Sequence, residues 1–197
     1  MTGRYRQMLV SEEAHAQIGA AKSLMEGITG RRLSSKDIIG EFIGRRVRFM
    51  RLDRDVRAYI NSFVSEMALD RRVLGLLLFG SVARGTSTKQ SDIDVLVVAS
   101  DTSMKVFDSV NAAVKRVEAY RVPLKERGAS MRIRPMILKV GELQRFKPIY
   151  VEFLEDGMVL FERDETMSEF LNDIRKSVDY EKRIVNNAVV ITWSMRR

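Results

Sequence analysis

Apolar and polar positions along this chain fall into runs of period two and period three to four, and these runs predict its elements. Over residues 4–10 the alternation sets Met8 and Val10 on one face and Tyr5, Gln7 and Leu9 on the other, as in a strand. Ser11, Glu12 and Glu13 then supply an N-cap and an acidic first turn, and Ala14, Ile18, Ala21, Met25 and Ile28 follow at helical spacing as far as Gly30. A second helix opens at Ser34 or Ser35 and gathers Ile38, Ile39, Phe42, Ile43, Val47 and Met50 on one side. From Asp53 another helical stripe runs through Val56, Tyr59, Ile60, Phe63, Val64 and Met67. The apolar run Val73–Phe79 has the length of a fully buried strand, and residues 94–98 form a second one. Helices are expected over 104–121, 148–154 and 166–178, and strands over 131–140, 158–161 and 188–193, with Trp193 capping the core beside Val189 and Ile191. No Gly, Pro or Ser linker marks the junction near residue 52, so the pattern allows a nearly continuous helical connection there. The expected class is α+β, divided into a module at 1–52 and a domain at 53–197 with a mixed β-sheet flanked by helices.

Composition narrows the chemistry. Of 197 residues 45% are hydrophobic and 30% charged, which suits buried cores and excludes a disordered polyelectrolyte. Without a cysteine, and with His15 as the single histidine, the chain has no thiolate ligands and no multi-histidine metal site; any metal must be held by oxygen. No apolar run reaches the length of a membrane span and no signal-peptide core follows Arg4 and Arg6, so a soluble, cytoplasmic protein without a membrane partner is expected. The net charge of +8 is uneven: residues 1–60 carry 12 Lys/Arg against 7 Asp/Glu, which suggests a polyanionic partner for that part. The cluster Arg45, Arg46, Arg48, Arg51, Arg54 and Arg57 reads as a solvated helix face or as phosphate contacts.

A module of about 50 residues has too much surface to bury two apolar stripes alone, so the first part is expected to form a homodimer. Its strand runs directly into Val10-Ser11-Glu12-Glu13-Ala14, and in this it resembles the ribbon-helix-helix modules of antitoxin-like proteins. The resemblance implies a two-stranded ribbon shared between subunits and laid in the DNA major groove. Tyr5 and Gln7 would then face the bases, with Arg4 and Arg6 on the phosphates. A dimerisation element with a solvated basic strand is the alternative.

The informative stretch begins where the Val73–Phe79 run ends. Gly80 has no Cβ and lets a phosphate approach the backbone, and Ser81 adds a hydroxyl at the start of a turn of helix. Beyond Arg84-Gly85, Asp92 and Asp94 sit two apart at the start of the next strand, so the pleat sends both carboxylates to one face. Paired carboxylates facing a phosphate cradle suit a Mg2+ ion shared with a triphosphate.

Gly80-Ser81 followed by Asp92-Ile93-Asp94 resembles the nucleotidyltransferase superfamily of the polymerase β type. The likeness extends to the small members found beside higher-eukaryote-and-prokaryote nucleotide-binding (HEPN) toxins. It implies that Gly80, Ser81 and Arg84 bind the phosphates of a nucleoside triphosphate, ATP being the expected one, and that Asp92 and Asp94 are catalytic metal ligands for Mg2+. It also implies that a hydroxyl acceptor, on a partner toxin for example, receives the nucleoside monophosphate. The sequence departs from the superfamily in one respect: where a third carboxylate is expected it reads Met131-Arg132-Ile133-Arg134-Pro135-Met136, with Glu142 and Glu118 as the substitutes nearby. Two functions therefore stay open, a working nucleotidyltransferase and a dimeric DNA-binding antitoxin or regulator whose nucleotide-binding domain is catalytically impaired.

Overall fold

The computed structural model describes residues 49, 52–185 and 188–196; the expected ribbon and two helices of the first module, with Arg4, Tyr5, Arg6 and Gln7, lie outside the described residues. The order is α1 (Arg54–Ala68), β1 (Val73–Phe79), α2 (Gly80–Arg84), β2 (Ile93–Ala99), α3 (Met104–Arg116), a 3-10 turn (Val117–Arg121) and α4 (Val122–Glu126). It continues with β3 (Ile133–Lys139), α5 (Ile149–Glu155), β4 (Met158–Glu162), α6 (Thr166–Ser177), β5 (Val178–Val185) and β6 (Ala188–Met195). No helix among the described residues is long and apolar enough to cross a membrane.

Four strands form one mixed sheet in the order β3-β2-β1-β4, with β1 antiparallel to β2 and β4, and β2 parallel to β3. Strand alternation divides the core between the two faces. Leu76, Leu78, Val95 and Val97 pack against Tyr59, Ile60 and Phe63 of α1 and Val106 and Val110 of α3. Leu77, Phe79, Leu96 and Val98 pack against Tyr150 and Phe153 of α5 and Phe170 and Leu171 of α6. Helices cover both faces, which explains why β1 and β2 are apolar almost throughout.

The helical connection that the pattern allows near residue 52 does not run through Asp53. Asp53 is extended, with ψ of 141°, and its Oδ1 accepts from the Asp55 and Val56 amides at 2.8 and 3.4 Å, so α1 begins afresh with a side-chain cap. Arg127 clamps the same carboxylate with two bonds of 2.9 Å and holds its pKa down at about 2.

Two elements were not anticipated. Pro123 opens the short α4. Strand β5, whose alternate positions Asp179, Glu181 and Arg183 are charged, takes its conformation from antiparallel pairing with β6. Trp193 is more exposed than a core cap would be: 43% of it faces solvent on β6, and its ring meets that of Phe146, which packs against the core, with centroids 4.7 Å apart.

Candidate active site

The site forms where β1 gives way to α2. Gly80 has φ of +74°, and a Cβ there would collide with the Asp94 carboxylate, so glycine is required both for the turn and for the closeness of β2. Gly85 ends α2 in the left-handed region; its amide bonds Val82 O at 3.1 Å and the Thr86 amide bonds Ser81 O at 3.0 Å, a Schellman cap. The Arg84-Gly85 pair thus stops the helix after five residues and leaves Arg84 at its end.

Phe79 and Asp94 are partners in the antiparallel register, so the Asp94 side chain faces the side of the sheet that α5 covers, and Asp92 shares its parity. Phe79, Gly80, Ser81, Arg84, Asp94 and Arg134 contribute to the lining of one cavity of about 630 Å³, which Glu152 of α5 also lines. Burial, and then the nearby Asp92 carboxylate, push the Asp94 pKa up, while Arg134 and Arg84 oppose them.

Parallel pairing of β2 with β3 puts Arg134 beside Asp94 and Pro135 beside Val95, so the position expected to be acidic is Arg134. Its Nη1 donates to Asp92 Oδ2 at 3.0 Å. Neither substitute acid reaches the cavity. Glu118 pairs with Arg121 and Lys125 at 2.7 Å each, and Glu142 accepts from the Lys139 amide at 2.8 Å. The carboxylate that does reach it, Glu152, was missed: it bonds Arg84 across 68 positions of sequence, and nothing in its helical stripe sets it apart.

Consistent with a glycine turn packed against Asp94, the family model of the nucleotidyltransferase domain matches residues 57–176. The chain belongs to the nucleotidyltransferase domain family. Solved structures similar to it include a toxin–antitoxin complex with AMP-PNP, at 19% identity and a TM-score of 0.39, covering 57% of this chain and 81% of that one. A mutant of the toxin–antitoxin MntA-HpeT is similar at 16% identity and a TM-score of 0.39, covering 57% and 80%. No curated protein matches the chain in sequence.

Nucleotidyltransferase domains generally use a divalent metal, and the residues here fit one such ion. Asp94 on β2 and Asp92 just before it are the two carboxylates that would hold it, and the burial and the Asp92 charge that raise the Asp94 pKa are a cost that a cation beside Asp94 would offset. A second ion finds less support. Among the described residues no group of three or more His, Cys, Asp or Glu is placed to hold a metal, and the Arg134 guanidinium stands at the third position.

Proposed function

We propose that residues 53–197 bind a Mg2+-nucleoside triphosphate, with ATP as the expected nucleotide, and transfer its nucleoside monophosphate to an acceptor hydroxyl. The observation that supports this reading is the close approach of Gly80 to the Asp94 carboxylate, which puts the glycine turn, Ser81, Arg84 and Asp94 around one cavity, with Asp92 outside its lining and next to Asp94 through their shared Arg134 neighbour. Ser81 and the backbone of the Gly80 turn would receive the phosphates, with Arg84 supplying positive charge to the outer ones. Asp92 and Asp94 would hold the metal, which neutralises charge on the phosphates and orients the attacking oxygen. The acceptor oxygen bonds the α-phosphorus, the bond to the β-phosphate oxygen breaks, and pyrophosphate leaves. The acceptor's proton passes to water, because Arg134 stands where a carboxylate would take it. A hydroxyl on a partner toxin protein is the acceptor that the family resemblance suggests.

A second reading has its own support. The Arg134–Asp92 ion pair occupies one of the two carboxylates, as expected if the domain binds nucleotide but transfers it slowly, serving a DNA-binding regulator.

Calorimetric titration with Mg-ATP tests the shared core of both. Asp92→Ala and Asp94→Ala should each abolish metal-dependent binding while the fold persists; unchanged affinity in both would make the pair structural and reject the nucleotide site.

A further inference from the structure

Glu152 has no part in the chemistry above, yet its position is closely determined. It lies on α5 between Val151 and Phe153, both buried, and its own side chain opens to the cavity that Gly80, Ser81 and Asp94 line. Its Oε2 accepts from Arg84 Nη1 at 3.1 Å, and Asp156 Oδ2 stands 3.9 Å from the same nitrogen. The Phe153 ring meets that of Phe79, the residue before Gly80, edge-on with centroids 4.9 Å apart. Core packing therefore braces the helix that carries Glu152 against the turn that carries Ser81, and the placing of Glu152 opposite Arg84 follows from two rigid elements.

A free arginine side chain gives up considerable rotamer entropy when it grips a phosphate, and a carboxylate that already holds it removes much of that cost. Both contacts fall on Nη1, and a guanidinium has five N–H donors, so the pairing leaves the group able to donate to an anion as well.

Building on the nucleotide-site reading, we infer that Glu152 is a positioning residue: it holds Arg84 aimed into the cavity for the outer phosphates of a nucleoside triphosphate, and thereby favours a triphosphate over a shorter phosphate chain. Charge alone makes the opposite prediction. Removing a carboxylate from the cavity would by itself strengthen the binding of a polyanion. One substitution separates the two effects, and because Glu152 lies on the open side of a helix anchored by its other face, α5 tolerates alanine there.

The experiment is calorimetric titration of Mg-ATP, Mg-ADP and Mg-tripolyphosphate into the full chain and into Glu152→Ala, Glu152→Gln, Arg84→Ala and the Arg84→Ala/Glu152→Ala pair. Glu152→Ala should weaken Mg-ATP and Mg-tripolyphosphate roughly tenfold, the scale on which outer-sphere partners act, and Mg-ADP less. Glu152→Gln should recover most of the loss, since its amide oxygen still accepts from the guanidinium. In the Arg84→Ala background, Glu152→Ala should change affinity little, because it acts through Arg84. Unchanged or tighter binding by Glu152→Ala, or an equal further loss on top of Arg84→Ala, overturns the positioning role and leaves the nucleotide site standing. A wild-type chain that binds none of the three overturns both.

Discussion

Arg134 on β3 lies beside Asp94 of β2 in parallel register, and its guanidinium donates to Asp92 at 3.0 Å. A cation supplied by the chain thus sits against one of the two carboxylates that would hold a metal ion. Coulombic attraction holds it there only modestly, since the Arg134 side chain is 75% exposed and well screened. A divalent ion arriving with a triphosphate can displace it, but a second ion would have to approach a positive charge.

Transfer activity should respond to that charge. Arg134→Asp is expected to raise the transfer of labelled adenylate above the wild-type rate, because a carboxylate there binds a cation and accepts the acceptor's proton. Asp94→Ala gives the background. Robust wild-type transfer that Arg134→Asp lowers would mean that Arg134 helps the reaction and would reject the impaired-enzyme alternative.

Asp94 should cost the fold stability in return for function. Its folded pKa is raised above the unfolded 3.8, so deprotonation favours the unfolded chain. This cost is absent below 3.8 and complete once the pH passes the folded value. Asp94→Asn should therefore raise Tm at pH 7, with the gain shrinking as the pH falls through the raised folded value and gone below 3.8, while the response to Mg2+ disappears. Equal melting of the two proteins at pH 7 would contradict this.

Gly80→Ala should be costly in two ways. Alanine at φ of +74° is strained, and its Cβ meets the Asp94 carboxylate. A loss of about 1 to 3 kcal/mol in denaturant unfolding is expected, together with loss of Mg-ATP binding. Gly85→Ala is strained at φ of +76° but meets no neighbouring atom, so it should lower stability by less. Equal effects at the two positions would mean that the Asp94 contact adds nothing.

Asp53 should tie the domain's stability to acid. Pairing with Arg127 holds its folded pKa at about 2, below the unfolded 3.8, so its contribution is complete above that unfolded value and is lost as the pH falls toward 2. Asp53→Ala removes the cap as well and should cost about 1 kcal/mol at pH 7, with a smaller difference from wild type at pH 2. Chemical denaturation at both pH values measures it.

Local sequence was enough to specify the strand Val73–Phe79, the centre of the second strand at residues 94–98, and the motif between them. Continuous apolar runs, a glycine turn and alternate aspartates are local signals, and backbone sterics and pleating convert them into structure without help from distant residues. It also pointed to the stretch from Met131 to Met136 as the departure from the family pattern. Tertiary structure alone chose Arg134, because the choice depends on the register of a parallel pair, which no local pattern encodes. The same holds for Glu152, whose meeting with Arg84 is produced by α5 packing on the sheet, and for β5, whose charged stretch becomes a strand through its partner β6. Local preference specifies where an element begins, whereas the neighbours that side chains acquire are specified by long-range packing.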